Sequence, residues 1–117
     1  MIIVTATLSF ETEADRDRAV SATASIQQAT RDEEEACLAY CFAPDPAEPT
    51  HLQVYECWTD ADGLAKHFQH HTYAAMVQAL RSSGGLIGSD NRLWAAEDCG
   101  PVYDDTGAFR HEAVADA

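Results

Sequence analysis

The chain has 117 residues, 20 acidic and 7 basic, and a formal charge of −13. That length holds one domain of ordinary size, and a hydrophobic share of 46% excludes wholesale disorder. With Lys66 as its only lysine and six arginines, it offers no basic footprint for a nucleic-acid backbone.

Ile2–Phe10 is rich in apolar and β-branched residues, with Thr5, Thr7 and Ser9 at alternate positions, and predicts a strand. Thr12-Glu13-Ala14-Asp15 reads as a capping box. Residues 14–29 continue it as a helix free of Gly and Pro, with a weak stripe through Val20, Ala24 and Ile26. The acidic residues 32–35 read as a separator before a second strand at 37–42. Pro44, Pro46 and Pro49 mark 43–50 as a loop. His51–Trp58 is a third strand, and residues 59–62 are a second capping box. The helical region behind that box is expected to run to about Arg81, where Ser82-Ser83-Gly84-Gly85 stops it. A fourth strand is expected at 89–96.

The order βαββαβ predicts an α+β fold, the ferredoxin-like arrangement with an antiparallel sheet. Residues 1–96 make up this domain. Residues 97–117, with six acids against Arg110, read as an acidic extension. The second strand is apolar on both faces, with Cys37, Ala39 and Cys41 on one and Leu38, Tyr40 and Phe42 on the other. One layer of helices covers only one face. A second copy of the chain is the expected cover, so a homodimer through the sheet is predicted.

No apolar run approaches the roughly 20 residues that span a bilayer, and no membrane partner is expected. Met1-Ile2-Ile3-Val4 lacks the charged start of a signal peptide, so the expected location is cytoplasmic. Cys37, Cys41, Cys57 and Cys99 fit no zinc framework and read as reduced thiols.

The segment from Val54 to His71 carries the chemistry. Period two places Leu52, Val54, Glu56 and Trp58 on one strand face. A carboxylate among such neighbours must be hydrogen-bonded, or its pKa must rise. Glu56 is therefore a candidate general base, substrate anchor or structural acceptor. On the next helix, Leu64, His67, Phe68, His71 and Ala75 share a stripe, which aims His67 at the sheet towards Glu56 and Trp58. Neutral imidazole suits proton transfer near neutral pH. His67 and His71 have a spacing that can hold a metal from one helix face. Without a third ligand, no metal is expected.

Glu56-x-Trp58, a short acidic turn, Leu64 and then His67-Phe68 resemble the signature of the antibiotic biosynthesis monooxygenase superfamily. The resemblance covers residues 2–96 and implies a ferredoxin-like subunit paired into a dimeric α+β barrel. It also implies a cavity between sheet and helices, in which some members oxygenate phenolic or anthrone-type polyketides without metal or flavin and others oxidise quinols. Carried onto this chain, it makes His67 the proton-transfer residue and Glu56 its orienting partner or alternate base. Trp58, Phe68, Tyr40, Tyr73, His71 and Met76 then contact a small apolar or aromatic substrate. Haem-degrading members resemble one another in a first-strand asparagine and a helical histidine. Here those places hold Thr5 or Thr7 and Val77, so neither haem nor any other cofactor is expected. Two other readings use the same residues: a non-catalytic dimer that binds an apolar metabolite or regulates a partner, and a small-molecule isomerase.

Overall fold

β1 (Ile2–Phe10) is one of the two inner strands of the sheet, with a neighbour on each side. A computed structural model of residues 1–117 continues with α1 (Glu13–Glu33), β2 (Cys37–Pro44) and β3 (His51–Trp58). α2 (Ala61–Gln69), α3 (His71–Ser82) and β4 (Leu86–Ala95) follow. The strands form one antiparallel sheet in the order β2-β3-β1-β4, the expected ferredoxin-like topology. Register places Val4 beside Glu56, Ala6 beside Val54 and Leu8 beside Leu52. The helices lie on the face that carries these residues. There Phe10, Tyr40, Phe42, Leu52 and Trp58 pack with Ala19 of α1, Leu64 of α2 and Met76 of α3.

Polar residues bury part of α1. Arg16, Thr23, Gln27 and Thr30 are buried along it, and two of them, Arg16 and Gln27, bond outward. Thr23 and Thr30 return their hydroxyls to carbonyls one turn back. The Gln27 amide donates to the Phe42 carbonyl at 3.2 Å and accepts from the Phe42 N–H at 2.9 Å. Arg31 Nε donates to the Tyr40 carbonyl at 2.7 Å. These side chains satisfy backbone groups that an edge strand otherwise leaves open. A stripe that scores poorly as apolar is thus a row of hydrogen-bonding groups set against the edge of β2.

Several element ends differ from the sequence reading, each for a local reason. Thr12 caps α1 as expected, its hydroxyl accepting from the Asp15 N–H at 3.1 Å. The helix then runs on through Asp32 and Glu33, so the expected separator is partly its last turn. Asp60 rather than Thr59 caps α2, accepting from the Gly63 N–H at 2.7 Å. The single helix expected up to Arg81 is two. His70 is extended, with φ −84° and ψ 148°; its N–H returns to the His67 carbonyl at 3.0 Å and its ring caps α3. Gly84 and Gly85, at φ 82° and 73°, supply the expected stop. β4 starts earlier than expected, at Leu86.

A bulge between Cys37 and Ala39 lets β2 change phase. Cys37 sits beside Trp58 and packs on the core, whereas Ala39 and Cys41 pair with Cys57 and Tyr55 on the opposite face. Ile3, Tyr55, Cys57 and Trp94 share that outer face, over which no helix lies. All four cysteines are free thiols. β4 pairs with β1 alone, and its second edge has no strand neighbour. Beyond it, residues 97–117 bond mainly among themselves. Arg110 donates to the Cys99 and Pro101 carbonyls, Tyr103 bridges Phe109, and a short 3-10 helix spans His111–Val114. The radius of gyration, 16.2 Å, exceeds the roughly 13 Å of a close-packed chain of this length, because the tail stands off the body. No helix is long and apolar enough to cross a membrane.

Candidate active site

Trp58, at the end of β3, is the centre of the site and is fully buried. Its indole N–H donates to Glu56 Oε1 at 3.1 Å, a contact that period two makes possible by setting both on one face. Glu56 is 8% exposed and takes no other hydrogen bond from the chain. Burial pushes its carboxyl up to about 7. The Trp58 bond opposes that rise and the Glu34 charge adds to it. Glu56 therefore exchanges its proton near neutrality, the range in which a general acid or base works best.

His67, on α2, is 2% exposed, and its ring lies 4.6 Å from that of Trp58. It faces the sheet, as the stripe predicts, but its hydrogen-bond partner is not Glu56. Nδ1 meets both oxygens of Glu34, at 2.9 and 3.0 Å, and Thr72 of α3 donates its hydroxyl to the same carboxylate at 2.8 Å. The reason is the longer α1, which delivers Glu34 as its capping residue over the α2–α3 bend. With a carboxylate at Nδ1, the proton sits on Nδ1 and Nε2 keeps its lone pair. Burial pulls the His67 pKa down, against the Glu34 hydrogen bond that raises it. The ring is neutral, oriented and basic at Nε2.

Aromatic rings close around it. Tyr40, Phe68 and Tyr73 lie 5.5, 5.9 and 5.6 Å from the imidazole, and Phe68 and Tyr73 contact each other edge to face. Burial raises the Tyr40 phenol well above its ordinary pKa, so it is a neutral wall. Phe68 and Tyr73 also line an open cleft of about 730 Å³ with Val77 and Arg81. A second cleft, of about 650 Å³, is lined by Glu33, Glu34, Asp60, Asp62, Lys66 and His70.

Of the residues expected at the site, Glu56, Trp58, Tyr40, His67, Phe68 and Tyr73 come together. Met76 is buried in the core beneath them. His71 does not join: the break at His70 rephases the helix, and His71 Nε2 meets Glu33 at 2.7 Å on the surface. Arg92 pairs with Asp90, and Trp94 donates to Thr5; both lie on the outer face. Sequence reasoning missed Glu34, Thr72 and Arg81. Glu34 had a signal, since Thr23, Gln27, Thr30 and Glu34 repeat at helical spacing once polar residues are counted in the buried stripe.

A ferredoxin-like subunit with a carboxylate-held imidazole inside an aromatic box defines a small α+β protein with a buried, oriented histidine. The chain belongs to the antibiotic biosynthesis monooxygenase family, whose sequence model matches residues 1–79. A Deinococcus radiodurans protein assigned to that family by name is 23% identical, with a TM-score of 0.74 over 89% of this chain and 100% of its own. A Streptomyces coelicolor monooxygenase in complex with nanaomycin D is 20% identical, with a TM-score of 0.70 over 89% and 92%. A cofactor-independent oxygenase from Streptomyces nogalater is 14% identical, with a TM-score of 0.61 over 83% and 93%. No curated protein matches the chain.

Proposed function

We propose that this protein is a monooxygenase that oxidises an electron-rich aromatic, polyketide-like or quinol substrate with O2, without metal or flavin. The observation that carries the reading is His67, held through Nδ1 by Glu34 with Nε2 unshared among Tyr40, Trp58, Phe68 and Tyr73. Nε2 removes a proton from a phenol or an activated methylene, and the aromatic anion so formed passes an electron to O2. For a methylene substrate, one oxygen atom becomes a carbonyl on that carbon. The other leaves as water with the two hydrogens, so O2 is the only oxidant required. Glu34 and Thr72 fix the imidazole, and Glu56, titrating near 7, is positioned to return a proton. Phe68 and Tyr73 reach the substrate from the open cleft. In this reading residues 1–96 are the catalytic body, 97–117 an appended segment, and a second copy covers the outer face of the sheet in a cytoplasmic homodimer.

An oxygen-electrode screen of quinols, phenols and anthrones tests it. Turnover by wild type should fall about 10²- to 10⁴-fold in His67→Ala, the usual contribution of a general base. Wild type that neither consumes oxygen with any of these substrates nor binds one defeats the reading. A second reading, a binding or regulatory protein without turnover, draws on the depth of the His67–Glu34 bond, which neither of the two clefts above reaches through His67 itself. Under it, His67→Ala lowers stability and leaves ligand affinity as the only functional readout.

A further inference from the structure

On the surface behind the Glu34 network, three side chains converge that the proposed reaction does not use. Glu33 ends α1, His70 is the bend between α2 and α3, and His71 opens α3. One donor atom from each lies within 4.8 Å of the other two. His71 Nε2 is 2.7 Å and His70 Nε2 4.0 Å from the same Glu33 oxygen, and the two imidazole rings lie side by side with centroids 4.5 Å apart. We propose that Glu33, His70 and His71 bind one divalent first-row transition-metal ion of the zinc class.

The ring nitrogen of His70 that faces away from Glu33 has a partner in either tautomer. This nitrogen, Nδ1, lies 2.9 Å from the Thr72 hydroxyl, which gives its own proton to Glu34. In the metal-free chain Nδ1 accepts the Thr72 N–H at 3.3 Å as the cap of α3; when an ion takes Nε2, the ring proton moves to Nδ1 and the Thr72 hydroxyl accepts it. A metal-bound imidazole usually has its second nitrogen held in this way. Two imidazoles and a carboxylate form a borderline donor set preferred by zinc, nickel and copper ions over magnesium or calcium. The carbonyl end of α1 and the neighbouring Glu35, Asp60 and Asp62, against the single cation Lys66, favour a positive ion nearby. His71 is 70% exposed, which leaves room for water or another ligand to complete the shell. The ion replaces the direct Glu33–His71 bond and ties the end of α1 to the α2–α3 bend, one residue from the carboxylate that holds His67.

Calorimetric titration of the tag-free full chain with zinc chloride is the test. Wild type is expected to bind one ion, with its melting temperature raised by about 4 °C or more at a hundredfold excess over Kd. Magnesium chloride should give neither effect. His71→Ala and Glu33→Gln, both at exposed positions that leave the core untouched, should each weaken zinc binding at least tenfold. Cys99→Ser and His111→Ala should leave it unchanged. No zinc binding by wild type, equal affinity in His71→Ala and Glu33→Gln, or loss of binding in Cys99→Ser or His111→Ala overturns the proposal.

Discussion

Glu56 is a buried carboxyl group whose charged form has a single side-chain donor, the Trp58 N–H. Its folded pKa, about 7, lies above the ordinary 4.5. Between those values the folded chain holds a proton that the unfolded chain has released, so stability is full below about pH 4.5 and is lost as pH rises through about 7. The gap corresponds to about 3 kcal/mol. Glu56→Gln keeps an acceptor for the Trp58 N–H and removes the titration. In urea denaturation the variant should gain on wild type by up to ~3 kcal/mol between pH 5 and pH 8. A difference that stays constant across that range means Glu56 is ionised throughout. His67 acts in the opposite sense: its lowered pKa makes stability fall as pH drops below the ordinary 6.5. That loss is common to both proteins and cancels in the comparison. At this scale the sequence was informative about direction and less so about partners. Period two and the helical stripe place Glu56, Trp58 and His67 on facing surfaces. Glu34 escapes because an acid in a run of four reads as solvated, and only the true end of α1 brings it over the bend.

At the scale of elements, the junctions decide the geometry. Gly63, in the first turn of α2, faces the Ala36 side chain so closely that an added Cβ would stand 2.4 Å from the Ala36 Cβ. Neither methyl can rotate away. Gly→Ala in a helix ordinarily gains about 1 kcal/mol, but overpacking of this kind loses about 1–3 kcal/mol. Gly63→Ala should therefore lower the melting temperature, and an unchanged or higher value would mean that α2 is free to shift. Because α2 carries His67, the same variant should lose turnover in proportion to the displacement. The strands and the first helix were legible because their patterns are long and their punctuation is explicit. The bend at His70 was not, since no Gly or Pro marks it; a histidine ring supplies the cap that stops one helix and starts the next. The misplacement of His71 follows from that single unread boundary.

For the molecule as a whole, the outer face of the sheet and the tail are the two surfaces without an internal partner. Tyr55 and Trp94 are each about half exposed on that face, beside buried Cys57. A dimer covering them should dissociate in Trp94→Glu, with sedimentation velocity showing the monomer mass and the far-ultraviolet spectrum unchanged. A monomeric wild type would remove the dimer from the reading. The tail exposes Val102, Tyr103 and Phe109, and its bonds are local, so a chain ending at residue 96 should melt at nearly the temperature of the full chain. The two-faced apolar pattern of the second strand was legible in the sequence. Which of its residues belong to which face was not, because the bulge after Cys37 has no sequence marker. Association by strand addition meets a further limit in Gln27 and Arg31, which already occupy backbone groups along β2. A fibril requires every unit to offer two open edges, and this subunit offers only the outer edge of β4. Two copies joined there in antiparallel register would use up both templates, so edge-to-edge growth ends at a pair.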